Sequence, residues 1–177
     1  MAPELCLVEV SGREMARGVD VMEPILASVR DGVSDRLSCS FGNTWPTLNL
    51  LLTGERYSPT PPLGNAVLGG AIVELGEPMQ LLVFLPPQDV IAVRNALSRE
   101  TYEQLSARNG EKVMGQFEQP HAPTTSPYLE GIREFAESVP GLVLESMREG
   151  LGTLQRFYNG VRAKEGYCVA KRLYGYL

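Results

Sequence analysis

The residues of this chain that could do nucleophilic or metal chemistry are few and widely spaced. There is one histidine, His121, and there are three cysteines, Cys6, Cys39 and Cys168. Because no CxxC pair or zinc-knuckle spacing occurs, we predict three free thiols, no metal site and no cofactor. A nucleophile–base pair of His121 with Ser126 or Cys168 could form only through the fold. The simpler interpretation is a loop histidine without a chemical role.

A second set of candidates lies on a short apolar helix predicted from Trp45 to Thr53. Asn49 and Thr53 are four residues apart, so they share a helix face and could present an amide and a hydroxyl to a ligand. The alternative is structural: Thr53 bonds back to a helix carbonyl, and Asn49 satisfies the neighbouring loop. Both interpretations stay open on the sequence alone.

The loop after this helix has the composition of a ligand cleft. It runs from Glu55 to Gly64 with three prolines, and a Gly69-Gly70 turn follows it. If the domain has a site, we expect it where the end of the helix, at Thr53-Gly54, meets this loop and this turn. The candidate ligand-binding residues are Asn43, Trp45, Asn49, Thr53, Arg56 and Tyr57. In the competing explanation, these residues serve only to fold the chain.

The remaining clusters favour structural roles. Gly69-Gly70 matches neither GxGxxG nor GxxxxGK[ST], so a turn or close backbone packing is expected there. Glu130, Glu134 and Glu137 recur at helical spacing and predict a solvated helix face. The basic residues near the carboxyl terminus are interleaved with acidic ones. With a formal net charge of −5, this argues against a nucleic-acid partner.

Four segments predict strands, and they fall at both ends and in the middle of the chain. They are 5–10, 71–74, 80–85 and 167–173, with the second and third joined as a hairpin through Gly76–Pro78. Because strand and helix do not alternate regularly, we predict an α+β fold. A small, mostly antiparallel sheet would pack against several helices, and residues 1–177 would form a single domain.

The helices are predicted from apolar spacing and from capping residues. The first, 13–33, is expected to break or bend at Pro24, and one helical turn is expected at 65–68. Another helix starts at Pro86-Pro87 and ends near Leu97. Ser98 is predicted to cap a helix over 99–108 that closes at Asn109-Gly110. From Tyr128 onward the pattern is helical again, with a break at Pro140-Gly141.

The terminal helix has the strongest pattern in the chain. An apolar stripe at three- and four-residue steps comprises Val143, Met147, Leu151, Leu154, Tyr158 and Val161. Arg162 and Lys164 are predicted in its last turn, with Gly166 beyond it. The longest apolar runs are four to six residues, and no signal peptide is readable at the amino terminus. We therefore expect a cytoplasmic protein with no membrane contact.

The segment from Trp45 to Gly70 resembles the signature region of the YfbM-like family of uncharacterised bacterial proteins. The resemblance is carried by Trp45, Leu51–Gly54, Pro62-Leu63 and Asn65–Gly70, and it continues more weakly over most of residues 40–175. It implies a bacterial cytosolic domain of α+β fold without an established activity.

The chain departs from the family pattern at three positions. An Asp-Lys pair before the tryptophan and a histidine in the following helix are replaced by Gly42, Asn43 and Asn49. Chemistry that used that lysine or histidine therefore does not carry over. We predict a binding or interaction module, without a cofactor, for an unknown protein or small-molecule ligand. The alternative is a small hydrolase or transferase with a site assembled from residues scattered in sequence.

Overall fold

The computed structural model describes residues 4–74, 81–116 and 127–174, with the backbone alone at 74, 127–140 and 174. The described residues form one five-stranded sheet in which every neighbouring pair is antiparallel. The strands are β1 (Glu4–Ser11), β2 (Ser38–Phe41), β3 (Ala71–Glu74), β4 (Leu81–Leu85) and β5 (Tyr167–Tyr174). Their spatial order is β2-β1-β5-β4-β3.

The first and the last strand pair with each other inside this sheet. β1 and β5 pair along their full length, from Glu4 opposite Tyr174 to Ser11 opposite Tyr167. Side chains alternate along β1, so Leu5 and Leu7 face one side while Val8 faces the other. Both faces are buried, which explains why β1 is an almost continuous apolar run.

Helices cover both faces of the sheet. The helices are α1 (Gly12–Ala16), α2 (Val19–Arg30), α3 (Trp45–Thr53), α4 (Gly64–Val67), α5 (Pro87–Leu97), α6 (Tyr102–Gly115) and α7 (Pro127–Gly160). α2 buries Met22 and Leu26 against one face. The larger core lies on the other face, where α3, α5, α6 and α7 pack.

The α3 helix lies in the centre of that larger core. Every residue from Trp45 to Leu52 is buried, because α4, α6 and α7 pack against this helix. It ends at Gly54, whose φ of 81° is a left-handed conformation that glycine adopts without strain. The predicted stripe is buried from Met147 to Tyr158 on α7, and Val161, just after the helix, is buried as well, so this part of the helix faces the core as expected.

Three predicted helix boundaries are wrong. The first helical segment breaks at Gly18, with a φ of 84°, whereas Pro24 lies inside α2. Thr101 rather than Ser98 starts α6, because its hydroxyl accepts from Gln104 N–H and the Gln104 side chain accepts from Thr101 N–H. That helix runs through Asn109-Gly110, and Asn109 donates to the Leu51 carbonyl of α3 at 2.9 Å.

The carboxyl-terminal half also departs from the prediction. α7 is continuous through positions 140–141, where a break was predicted. It ends at Gly160, so Arg162 and Lys164 belong to a separate 3-10 turn, Ala163–Glu165, that Gly166 terminates. The short polar strand β2 was not predicted, and the hairpin residues 76–78 lie outside the described residues.

The predicted fold class is confirmed: the chain has a small antiparallel sheet packed against several helices. Within the described ranges, no helix has the length and hydropathy needed to cross a membrane.

Candidate functional site

An open cavity of about 390 Å³ lies where α3 begins and α7 crosses it. Its lining combines residues that are far apart in sequence, from the start of α3, the loop after it, the end of α6 and one face of α7. The described lining residues are Asn43, Thr44, Thr47, Arg56, Gln116, Leu142, Val143, Ser146 and Met147. A volume of this size is within the range of small-molecule sites in proteins.

Two threonines supply the polar groups on the α3 side of the cavity. Thr44 is the N-cap of α3, but its backbone is helical and its hydroxyl caps no backbone N–H. Thr47 lies one turn further on and is only 7% exposed. Within the described part of the chain, its hydroxyl has no hydrogen-bond partner. The hydroxyl oxygen itself keeps some solvent-accessible surface, so it is free to bond to water or to a ligand in the cavity.

The first turn of α3 also has a free backbone donor. The Trp45 N–H donates to the Gly42 carbonyl at 3.5 Å, and Pro46 has no N–H to offer. The next donor is Thr47 N–H, for which the described residues provide no backbone acceptor. The amino end of a helix has a partial positive charge, so this donor favours an anionic partner.

Arg56 and Gln116 are two further polar residues of the cavity lining. Arg56 is exposed, and its guanidinium carbon lies 5.9 Å from the centre of the Tyr57 ring. Among the described residues no carboxylate forms an ion pair with it. Gln116 ends α6, and its buried Oε1 atom has no hydrogen-bond partner. The cavity therefore has one unpaired cation and one unused acceptor.

The α7 side of the cavity is mainly apolar. Met147 is buried, Val143 is half-buried and Leu142 is 62% exposed, although leucine normally prefers the interior. Ser146 lies between them and adds one hydroxyl. This wall would contact an apolar part of a ligand, while α3 and Arg56 would contact a polar part.

The sequence-predicted residues divide into two groups in the structure. Asn43 and Arg56 line the cavity, which lies at the amino end of α3 and not at its carboxyl end, where the site was expected. Asn49 is fully buried, and its Nδ2 lies 3.0–3.2 Å from the carbonyls of Glu55, Arg56 and Ser58. Asn49 therefore serves the loop, which was the structural alternative.

Thr53 also has the structural role that was considered for it. Its hydroxyl donates to the Asn49 carbonyl at 2.8 Å, and it accepts from Glu55 N–H at 3.2 Å. The two residues together hold the loop that carries Arg56. They position the candidate site without lining it.

The two aromatic candidates pack against each other beside the cavity. Trp45 is 1% exposed and anchors α3 in the core. The Tyr57 ring meets it edge-on, with 6.1 Å between ring centres and an angle of 67°. Tyr57 itself is exposed, and neither ring is among the residues that line the cavity.

The Gly69-Gly70 turn is a close packing site, as the sequence predicted. Gly70 has a φ of 136°, and a Cβ atom there would collide with the Phe84 carbonyl of β4. The buried Lys171 ammonium donates to the carbonyls of Asn65 and Gly69, the second at 2.8 Å. Burial lowers the pKa of Lys171 to about 7, and the carboxylate of Asp89 opposes that shift. Sequence analysis missed this lysine because it lies in a strand about a hundred residues away.

A second concavity, of about 410 Å³, lies beside the carboxyl end of β1 and is mostly polar. Its charged groups already pair with one another. The main-chain N–H of Arg162 donates to one carboxylate oxygen of Glu9 at 2.7 Å, and the Arg162 guanidinium donates to the other at 2.7 Å. Arg36 donates to both oxygens of Glu14, which lowers the pKa of Glu14 to about 2. The first pair holds the residues just after α7 against β1, and the second holds Arg36 against α1.

The cysteines are free, as predicted, and do not form a reactive centre. Burial raises the pKa of Cys6 to about 11 and raises that of Cys39 further, so their thiolates are disfavoured. In the described ranges, no three His, Cys, Asp or Glu residues come together in a metal-binding group. His121 and Ser126 lie outside the described residues, as do the side chains of Glu130, Glu134 and Glu137.

Sequence reasoning missed most of the α7 and α6 contribution to the cavity. Val143 and Met147 were recognised as core positions of an apolar stripe, but nothing in their spacing indicates that the stripe ends at an opening. Thr47 did carry a signal, because it is a hydroxyl residue in the first turn of an otherwise apolar helix. Such a residue needs a partner when it is buried.

Comparison with known proteins supplies a family and a fold. The model of the domain of unknown function DUF1877 matches residues 6–118, which include the α3 and α6 sides of the cavity. The crystal structure of YfbM from Escherichia coli, a protein of unknown function, is similar, with a TM-score of 0.62 and 19% sequence identity. The similarity covers 98% of this chain and 100% of that chain. Among curated proteins, none matches this chain. The resemblance to the YfbM-like family is thereby confirmed.

Proposed function

This chain belongs to the DUF1877 family of domains of unknown function, and we propose that it is a binding domain whose small-molecule ligand occupies the cavity between α3 and α7. The observation that carries the proposal is Thr47, a buried side chain on the cavity wall whose hydroxyl has no hydrogen-bond partner among the described residues. This hydroxyl is accessible from the cavity, so it can bond to a ligand there without any rearrangement of its own hydrogen bonds.

The lining favours binding over acid–base catalysis. A serine or threonine nucleophile needs an adjacent base to remove its proton. Among the described lining residues, none is an aspartate, glutamate, histidine, cysteine or lysine. Arg56 is the one ionisable group there, and a guanidinium stays protonated at neutral pH. The hydroxyls of Thr44, Thr47 and Ser146 are therefore better suited to hydrogen bonding with a ligand than to attacking one.

The local architecture also supports a preformed binding site. Asn49 holds three consecutive parts of the loop that carries Arg56, and Thr53 holds the start of that loop. Trp45 anchors the helix from which Thr44 and Thr47 project. Rigid support of this kind reduces the conformational entropy that a ligand would otherwise have to restrict.

A fragment screen by protein-observed NMR tests the proposal. We expect several fragments to shift the backbone amide signals of Asn43, Thr47, Val143 and Met147 together. The Ser146→Trp variant places a large ring in the cavity and should abolish those shifts while the rest of the spectrum keeps its dispersion. The matched control is Glu149→Trp, at an exposed position on the same helix. Fragment shifts that map elsewhere, or that survive Ser146→Trp, would contradict the proposal.

A further inference from the structure

We infer that the ligand of this cavity is a small carboxylic acid whose carboxylate binds at the amino end of α3 and whose apolar tail packs against α7. The inference rests on the proposed function and adds the chemical class of the ligand. It is carried by four features of the described lining: the free donor at the helix end, the unpaired Thr47 hydroxyl, the single cation and the apolar wall.

The first feature is the helix end itself. α3 is nine residues long, and its amino end has the partial positive charge of aligned peptide dipoles. Within its first turn, the Trp45 N–H is already bonded and Pro46 has none. The donor that remains is Thr47 N–H, so the geometry has room for one hydrogen bond from the backbone to an anion.

The second feature is the Thr47 side chain, which is evidence for a ligand separate from the charge of the helix end. Its hydroxyl is on the same residue as the free N–H, the side chain is more than nine-tenths buried, and it lines the cavity. A hydroxyl donates one hydrogen bond, so the N–H and the O–H of Thr47 together can bind one carboxylate through both donors. Thr44, whose hydroxyl does not cap the helix, lies on the same lining.

The charge of the lining favours a monoanion. Arg56 is the one cation among the described lining residues, and a guanidinium matches the planar geometry of a carboxylate. Sites for phosphate dianions usually combine several cations or a run of free backbone N–H groups. Among the described residues, this cavity has one cation, Arg56, and one free backbone N–H, that of Thr47. A carboxylate, with one negative charge and two acceptor oxygens, therefore fits it better than a phosphate.

The apolar wall specifies the rest of the ligand. Leu142, Val143 and Met147 present aliphatic and thioether surface to the cavity, and Met147 adapts its shape readily to a partner. Leu142 is largely exposed, so an apolar tail that covers it would remove apolar surface from water. A short branched aliphatic chain matches this wall and the cavity volume.

Isothermal titration calorimetry of the full chain tests the inference with four probes. Sodium 4-methylpentanoate has both the carboxylate and the branched apolar tail, and 4-methylpentanamide has the same shape without the charge. Acetate has no tail, and inorganic phosphate is the alternative anion. We expect 4-methylpentanoate to bind at least tenfold more tightly than each of the other three, since hydrogen bonds to a charged group exceed those to a neutral one.

Three variants identify the groups responsible. Arg56→Gln removes the cation from an exposed position, so it should fold normally and should reduce the preference for 4-methylpentanoate over the amide to less than threefold. Thr47→Val keeps the side-chain shape and removes the hydroxyl, and it should weaken 4-methylpentanoate binding about tenfold. Arg17→Gln, at an exposed arginine between α1 and α2, is the control and should leave all four titrations unchanged.

The outcomes separate the inference from the proposed function. If the amide binds as tightly as the carboxylate, and both bind in the cavity, the carboxylate inference is overturned and the proposed function stands. If phosphate binds most tightly, the ligand class is wrong. If none of the four probes binds, the inference is overturned as well, and the fragment screen decides separately whether the cavity binds anything.

Discussion

Lys171 makes the stability of this protein depend on pH in a direction that an ordinary surface lysine would not produce. Its side chain is fully buried under the Asn65–Gly69 segment, where burial lowers its pKa from 10.5 to about 7. The unfolded chain therefore binds more protons than the folded chain between these two pH values. Stability should then rise with pH across that window, and the gain is lost again as pH falls to about 7.

The magnitude follows from the width of the window. Each pH unit within it corresponds to about 1.4 kcal/mol of unfolding free energy, so the whole window corresponds to about 5 kcal/mol. Between pH 7 and pH 9.5, we expect the parent protein to gain about 3 kcal/mol relative to the Lys171→Met variant. Other titrating groups act equally on both proteins, so they cancel in this difference.

Urea unfolding at pH 7, 8 and 9.5 measures the effect, provided that unfolding is reversible at each pH. The matched control is Lys164→Met, which removes an exposed lysine and should follow the parent at every pH. If the difference in unfolding free energy between Lys171→Met and the parent also stays constant with pH to within about 0.5 kcal/mol, the lysine stays charged in the folded state. The hydrogen bonds to the Asn65 and Gly69 carbonyls would then outweigh the effect of burial.

Three further predictions concern stability and reactivity. Trp45→Ala should lower the free energy of unfolding by about 3–5 kcal/mol in urea titrations, because it empties a fully packed position at the start of α3; a variant as stable as the parent would refute the core role. Asn49→Leu should cost about 1–3 kcal/mol and should speed limited proteolysis between residues 55 and 64, since three loop carbonyls lose their donor; an unchanged cleavage rate would contradict this. Cys6 and Cys39 should react with Ellman's reagent at pH 8 only after unfolding, because burial raises the pKa of both thiols; rapid labelling of the native protein would be inconsistent with their burial.

The helices and strands that could be predicted are those whose pattern is contained in their own residues. β1, β4 and β5 are compact apolar runs, α3 ends at a glycine, and the stripe of α7 follows helical spacing, so each could be assigned from its own residues. The boundaries that failed depend on tertiary contacts. Gly110 continues α6 because Asn109 bonds to α3, and β2 is a strand because β1 provides its hydrogen-bond partners. Neither contact is readable from a window of neighbouring residues.

The candidate site divides in the same way. The sequence predicted a site at the carboxyl end of α3, whereas the cavity lies at the amino end of that helix; of the predicted residues, Asn43 and Arg56 line it. Asn49 and Thr53 instead hold the loop, since a buried amide that faces three carbonyls has no capacity left on its donor side. The opposite wall, Val143 to Met147, could not be placed because its distance from α3 in the sequence is about a hundred residues.

The most direct test of the account is an isotope-filtered NOE experiment on the protein saturated with 4-methylpentanoate. Binding in the proposed orientation should give NOEs from the probe's methyl groups to the Met147 ε-methyl and the Val143 methyls, together with a large shift of the Thr47 amide proton. This pattern would place the tail on α7 and the carboxylate at the amino end of α3. NOEs to another part of the protein, or a Thr47 amide signal that does not move at saturation, would contradict the account.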